Sequence, residues 1–313
     1  MFYYEKVVRY TQNEGVKSMA QDVKKTTIGF VGTGVMGRSM AGHLLKTGYP
    51  LLVYNRTKAK AEELIAAGAV WKDTVAELAQ EADVIITMVG YPKDVEETYL
   101  GENGILPHAK PGTYVIDMTT SSPLLAKKIY EEAKKKDIHA LDAPVSGGDI
   151  GARQAKLAIM VGGEKEAFER MKPIFEQMGT NIVYQGEAGS GQHTKMCNQI
   201  AIASGMIGVC EAMVYAKRAG LDPENVLKSI ATGAAGSWSL SNLAPRMLKG
   251  DFAPGFYIKH FIKDMGIALE AAEEMGMMTP GLKLAKSLYD ELAEKGEANS
   301  GTQALYKLID QQL

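Results

Sequence analysis

The stretch Gly29-Phe30-Val31-Gly32-Thr33-Gly34-Val35-Met36-Gly37 constrains this chain more than any other. It closes a short apolar run that begins at Thr27 and opens a helical pattern. In a strand-turn-helix setting, each glycine of Gly32-x-Gly34-x-x-Gly37 has its own mechanical role. The first permits the tight turn, and the second lets the backbone approach a pyrophosphate. The third lets helix and strand pack closely, leaving the helix N-terminus aimed at the anion. With 33 glycines in the chain, a bare match would mean little. The strand before it and the helix after it give the match its weight. The turn predicts a dinucleotide held by Gly32, Gly34, Val35, Met36 and Gly37.

The rest of the N-terminal half agrees. TIGFVG, LLVYNR, DVIITMVG, YVIDMTT and HALDAPV are short, β-branched and bounded by turn residues, as strands are. Between them, residues 36–47, 57–67, 74–81 and 122–136 carry helical patterns. Such alternation predicts a parallel sheet with helices on both faces. LAIMVGG and NIVYQG add two strands around a helix over 165–178. After Gly189 the texture changes to helix alone, starting with a proline-free run from Gly191 to Gly220. Further helices are expected at 222–232, 257–275 and 282–295. The expected organisation is an extension at 1–25, a doubly wound α/β dinucleotide domain at 26–188, and an all-helical domain at 189–313 joined by a long inter-domain helix.

At the end of the second strand, an Asp or Glu would bind the adenosine ribose hydroxyls and favour NAD. Asn55-Arg56-Thr57 stands there instead. A carboxylate would repel a 2′-phosphate, whereas these side chains can hydrogen-bond one, and the fixed guanidinium fork of Arg56 suits phosphate. NADP is therefore the expected cofactor, with NAD possible.

Composition removes other function classes. A net charge of −2 gives no electrostatic case for nucleic acid. No apolar run of roughly 20 residues is evident, so no membrane partner is expected. The first residues lack the apolar stretch of a signal peptide, which predicts a cytoplasmic protein. Cys197 and Cys210 form no CxxC unit and both fall in an apolar helical pattern, which reads as two core thiols and no metal site.

Two further stretches carry chemistry. Asp142-Ala-Pro-Val-Ser146-Gly147-Gly148 ends a strand in residues that expose backbone N–H groups, a concavity able to take a carboxylate. In GSGQHTKMCNQ, Lys195 and Asn198 are three residues apart and Gln199 follows, so the three share a helical face. A lysine among apolar turns is costly to bury without a partner or a task.

GFVGTGVMG, DAPVSGG, GSGQHTKMCNQ and Lys263-Asp264 occur in the order found in the β-hydroxyacid dehydrogenases, which the chain resembles from Thr26 to its C-terminus. That family includes 3-hydroxyisobutyrate dehydrogenase, tartronate semialdehyde reductase and glyoxylate/succinic semialdehyde reductase. The resemblance implies that Lys195 is catalytic, that Asn198 positions substrate, and that Ser146, Gly147 and Gly148 hold its carboxylate. It also implies that Thr119 and Thr120, in a segment that usually reads Asp-x-Ser-Thr, contact substrate and nicotinamide, with Thr119 adding a methyl group. Lys263 would reach the cofactor, supported by Asp264. Trp238 lies where family members vary, and its indole either closes the pocket over a short chain or fills core. The implied reaction is reversible hydride transfer between the nicotinamide and a small hydroxy acid or semialdehyde. 3-Hydroxyisobutyrate/methylmalonate semialdehyde, glyoxylate and succinic semialdehyde are the expected substrates. Two competing readings stand beside it. A non-catalytic dinucleotide-binding module would lack Lys195, and a 6-phosphogluconate-dehydrogenase-like enzyme would carry a phosphate-binding extension. Family members associate through the helical half, so a homodimer or homotetramer is expected.

Overall fold

The computed structural model describes residues 25–311, so the extension expected at 1–25 lies outside the described residues except for Lys25. The chain divides into two compact units, Met1–Gln192 and His193–Leu313.

Unit one is built on a nine-stranded sheet. Its strands are β1 (Ile28–Val31), β2 (Leu51–Tyr54), β3 (Val70–Trp71), β4 (Val84–Thr87), β5 (Tyr114–Asp117), β6 (His139–Asp142), β7 (Val145–Ser146), β8 (Leu157–Gly163) and β9 (Gly179–Gly186). The order β3-β2-β1-β4-β5-β6 is parallel throughout and places β1 between β2 and β4. This is the strand order of dinucleotide-binding sheets, whose ligands bind beyond the carboxyl ends where the order reverses. Beyond β6 the sheet becomes mixed: β8 runs antiparallel to β6 and β7, and β9 runs parallel to β8.

Period-two side-chain alternation explains the two helical layers. Phe30, Val53, Ile86, Ile116 and Leu141 enter one core, while Val31, Leu52, Ile85, Val115 and Ala140 enter the other. Buried on both faces, these strands read as continuous apolar runs. The run HALDAPV, expected as one strand, breaks at Ala143-Pro144 into β6 and β7, since proline has no N–H for the ladder. The helix Val35–Thr47 ends at Gly48, whose φ of 101° lets its N–H reach back to Leu44 and Leu45. Ser122 caps Pro123–Lys134 by accepting from the Leu125 N–H at 3.4 Å.

Unit two contains helices from Ser190–Arg218, which begins in unit one, through Leu305–Gln311. Its core gathers Met206, Cys210, Met213, Phe261, Met265 and Tyr289. One of the two cysteines differs from expectation. Cys210 is buried, and burial pushes its thiol well up, but Cys197 faces outward on the same helix. The helix Ser190–Arg218 also corrects the composition reading, since by length and apolarity alone it suffices to cross a membrane. Met206, Cys210 and Met213 show where that apolarity goes, into the core of the helical unit.

Candidate active site

The glycine turn joins β1 to the helix Val35–Thr47. Gly32 adopts φ 97°, and a Cβ there would meet the Met88 carbonyl oxygen at 2.3 Å. At Gly37 a Cβ would lie 1.9 Å from the Gly32 oxygen, so this glycine lets the helix close on the strand. Gly34 differs, because its Cβ position meets nothing within 4 Å. No internal packing requires a glycine there, and its bare backbone lies open at the start of a 13-residue helix. An open approach at the second glycine, with close packing at the first and third, fits a pyrophosphate at the helix N-terminus. Val35 is exposed and Met36 half-buried at that same end.

Asn55 braces the turn from the end of β2. Its Oδ1 accepts from the Thr33 N–H at 3.1 Å, and its Nδ2 donates to the Thr57 carbonyl at 2.9 Å. Arg56, the next residue, extends into solvent and donates from Nη1 to Asp94 Oδ1 at 3.1 Å.

At the carboxyl ends of β4, β5 and β6 lies a buried polar hub. Asp117 accepts from the Thr87 hydroxyl at 2.8 Å and from the Thr119 N–H at 3.0 Å, and Tyr99 OH lies 3.0 Å from Thr87 Oγ1. Burial raises the Asp117 carboxyl to about 6, opposed by the Thr119 and Thr87 hydroxyls. The Thr119 hydroxyl also accepts from the Val89 N–H at 3.0 Å, fixing the loop after β4. Thr119 is thus turned into the protein, whereas Thr120 is half-buried.

Two residues without an assigned role in the sequence reading complete the hub. The Gln192 amide donates to the Thr119 carbonyl at 2.7 Å and accepts from the Ser121 N–H at 2.9 Å. Asp142 accepts from the backbone N–H groups of Gly189 at 2.7 Å and Gln192 at 2.8 Å, so a strand-end carboxylate caps the start of the long helix. Burial raises the Asp142 carboxyl, and these N–H groups pull it back down. The signal was present, since Asp142 and Gln192 stand inside the two quoted motifs. Just beyond β7, Gly147 and Gly148 adopt φ values of 132° and 61° after the half-buried Ser146. Only glycine takes two successive positive-φ positions without strain.

In unit two, Lys195 is 7% exposed. Burial lowers its ammonium from 10.5 to about 8; Asp264 raises it and Lys263 lowers it further. Asn198 Nδ2 donates to Gln199 Oε1 at 2.7 Å, and Gln199 Nε2 donates to Asp264 Oδ2 at 2.7 Å. Lys263 Nζ lies 2.9 Å from Asp264 Oδ1. Lys195, Asn198, Lys263 and Asp264 were expected, and Gln199 is the link between Asn198 and Asp264. Trp238 stands at the start of the short helix Trp238–Asn242 with 65% of its surface exposed. It therefore fills no core of its unit. Among the described residues, no cluster of three metal-ligating side chains occurs.

Residues 27–186 match the family described as the NAD binding domain of 6-phosphogluconate dehydrogenase. Residues 189–309 match the family described as the NAD-binding of NADP-dependent 3-hydroxyisobutyrate dehydrogenase. The uncharacterized oxidoreductase YkwC of Bacillus subtilis (strain 168) is 73% identical over 91% of this chain and 99% of its own. The probable 3-hydroxyisobutyrate dehydrogenase-like 1 protein, mitochondrial, of Arabidopsis thaliana is 48% identical over 91% of this chain and 85% of its own. Among solved structures, Mycobacterium tuberculosis 3-hydroxyisobutyrate dehydrogenase with L-serine shares 32% identity at a TM-score of 0.85, covering 91% of this chain and 99% of that one. Fold, glycine turn and these likenesses define an NAD(P)-dependent dehydrogenase acting on hydroxyl groups. The chain belongs to the β-hydroxyacid dehydrogenase family.

Proposed function

We propose that this enzyme interconverts a short 3-hydroxy acid and its semialdehyde, using NADP(H) in preference to NAD(H). One observation carries the reading: the chain buries a lysine, Lys195, whose proton affinity is lowered to about 8 and which lies beside Asn198, Gln199 and Asp264. A group that changes charge near the working pH is suited to give and take a proton at a substrate oxygen. An intact Lys195 also argues against a non-catalytic dinucleotide-binding module.

When bound, the nicotinamide supplies or accepts the hydride. In reduction, protonated Lys195 gives its proton to the oxygen of the nascent alcohol. In oxidation, the neutral amine removes it. Ser146, Gly147 and Gly148 receive the substrate carboxylate, and Asn198 positions the hydroxyl-bearing end. Lys263 holds cofactor while paired with Asp264, and Trp238 borders the substrate. Thr120 contacts the nicotinamide, and Thr119 acts behind it by fixing the loop after β4.

3-Hydroxyisobutyrate and L-serine, the molecules in the names of similar proteins, share a carboxylate, a substituted C2 and a terminal CH2OH. That skeleton is the substrate class proposed here, and glyoxylate and succinic semialdehyde test its length limits. Support for NADP comes from Arg56, which carries an exposed guanidinium at the end of β2 where no residue of the strand end is acidic. The test is turnover with NADP(H) and NAD(H) on 3-hydroxyisobutyrate, L-serine, glyoxylate, succinic semialdehyde, tartronate semialdehyde and 6-phosphogluconate. Turnover confined to 6-phosphogluconate, or none on any of them, would overturn the proposal.

A further inference from the structure

The strand β2 ends without an acid, yet a carboxylate stands at its end. Asp94 brings it there from another element. In the sheet, β1 lies between β2 and β4, so the segments that follow β2 and β4 leave the same edge on either side of the glycine turn. Arg56 belongs to the first segment. Asp94 belongs to the second, in the first turn of the helix Pro92–Leu100.

Asp94 does not hang freely. Its Oδ2 accepts from the Tyr91 N–H at 3.1 Å, which fixes the carboxylate at the helix start, and its side chain is only 20% exposed. The loop before it is pinned in turn by the Val89 N–H on the buried Thr119 hydroxyl. Against this fixed anion, the Arg56 side chain is 77% exposed and is held through Nη1 alone. A guanidinium has five donors in a planar fork, and a phosphate is best taken by two of them in parallel. Asp94 occupies one, and it sets a negative charge beside the position any phosphate on Arg56 must take.

We propose that Asp94 is a cofactor-specificity residue: its carboxylate competes with the 2′-phosphate of NADP for the Arg56 guanidinium and so narrows the preference for NADP over NAD. The proposal rests on the reading of Arg56 as the 2′-phosphate ligand. Asp94 does for selectivity, from the neighbouring loop, part of what an acid at the end of β2 does in NAD-selective sheets. The enzyme is then a moderate discriminator that accepts both cofactors.

Equilibrium binding tests this without turnover. NADPH and NADH would be titrated by fluorescence, and adenosine 2′-phosphate and adenosine 5′-phosphate by calorimetry, into the full chain carrying Asp94→Asn, Asp94→Ser, Arg56→Ala or Asp94→Asn with Arg56→Ala. Asparagine keeps an oxygen at the same reach for the Tyr91 N–H, and serine removes the charge with a shorter side chain, so a gain shared by both follows the charge and not the helix start. Asp94→Asn and Asp94→Ser should tighten NADPH and adenosine 2′-phosphate about fivefold, the scale of one exposed ion pair. NADH and adenosine 5′-phosphate should change by less than about twofold. With Arg56→Ala present, the gain should vanish. Unchanged or weaker NADPH binding in both Asp94 variants would overturn the proposal, because Asp94 would then orient Arg56 for the phosphate. A gain that survives Arg56→Ala would overturn it as well, leaving repulsion through space. If Arg56→Ala alone leaves the NADPH to NADH ratio unchanged, the reading of Arg56 fails first, and that arm is scored independently of Asp94.

Discussion

Gln199 Nε2 donates to Asp264 Oδ2 across 2.7 Å, which ties the helix Ser190–Arg218 to the helix Ile258–Glu274 one turn beyond Lys195. Asp264 is 2% exposed and is a charged neighbour that raises Lys195 against the lowering effect of burial. Asp264→Asn keeps an oxygen for Gln199 and removes the charge. Lys195 should then release its proton below pH 8. The alkaline fall of the reductive rate, set by loss of the protonated amine, should move to lower pH, with the oxidative rise moving the same way. pH profiles of kcat in both directions check this, and an unmoved midpoint would detach Asp264 from Lys195.

Two of the turn glycines, Gly37 and Gly34, should fail differently. Gly37→Ala places a Cβ 1.9 Å from the Gly32 oxygen and 3.0 Å from the Phe30 ring, and backbone cannot yield cheaply. A loss of about 1–3 kcal/mol or more in stability is expected. Gly34→Ala meets open space at a φ of −71°, so the apo protein should denature as the wild type does. Its new methyl nevertheless stands where the pyrophosphate backbone must approach, and dinucleotide binding should weaken at least tenfold. Denaturation midpoints paired with cofactor titration separate the two effects.

Local chemistry made these elements legible. Each parallel strand is buried on both faces, so β1, β4 and β5 announce themselves as apolar runs, and Thr74, Ser122 and Asp222 mark helix starts that the structure confirms as caps. What stayed hidden depended on distant partners. The strand Val70–Trp71 is two residues long and exists through pairing with β2. The helices Pro92–Leu100 and Gly148–Arg153 are short, and their apolar periodicity is thin. The site shows the same division. Lys195, Asn198 and Gln199 share a face by helical spacing, whereas the Arg56–Asp94 pair and the Gln192 bridge to Thr119 and Ser121 join residues 38, 73 and 71 positions apart in the chain. Spacing within one helix is readable from the chain, and pairing across the sheet is not.

Assembly is expected through the helical unit. Met275, Met277 and Met278 gather in the connection between the helices Ile258–Glu274 and Pro280–Leu292, and Met278 is 89% exposed. Three exposed methionines within four residues are unusual unless covered. Sedimentation at micromolar concentration should show a homodimer or homotetramer, and Met278→Glu should shift it toward smaller species. A wild type that sediments only as the monomer would refute the expectation.

Lys195 gives the sharpest prediction, because its burial couples activity to stability. If it transfers the proton, Lys195→Ala should lower kcat by roughly 10²-fold or more in both directions and erase the ionisation near pH 8. NADPH affinity should change little, and Lys195→Arg should rescue poorly, since guanidinium keeps its charge and its bulk. The same burial carries a folding cost. In the folded chain the ammonium releases its proton at about 8, against 10.5 ordinarily, a difference worth about 3 kcal/mol. Below pH 8 both states hold the proton, and the folded state bears that cost in full. Between pH 8 and 10.5 the unfolded chain still binds a proton that the folded chain has released, so stability climbs with pH across this window. Lys195→Met removes the charge and keeps the length. It should be inactive yet more stable than the wild type by up to about 3 kcal/mol at pH 7, and that advantage should shrink as pH rises toward 10.5. Denaturant midpoints of both proteins at pH 7 and pH 10 check this. A methionine variant less stable than the wild type at pH 7 would overturn the folding cost assigned to Lys195, and one that kept most of its turnover would end the proton-transfer role.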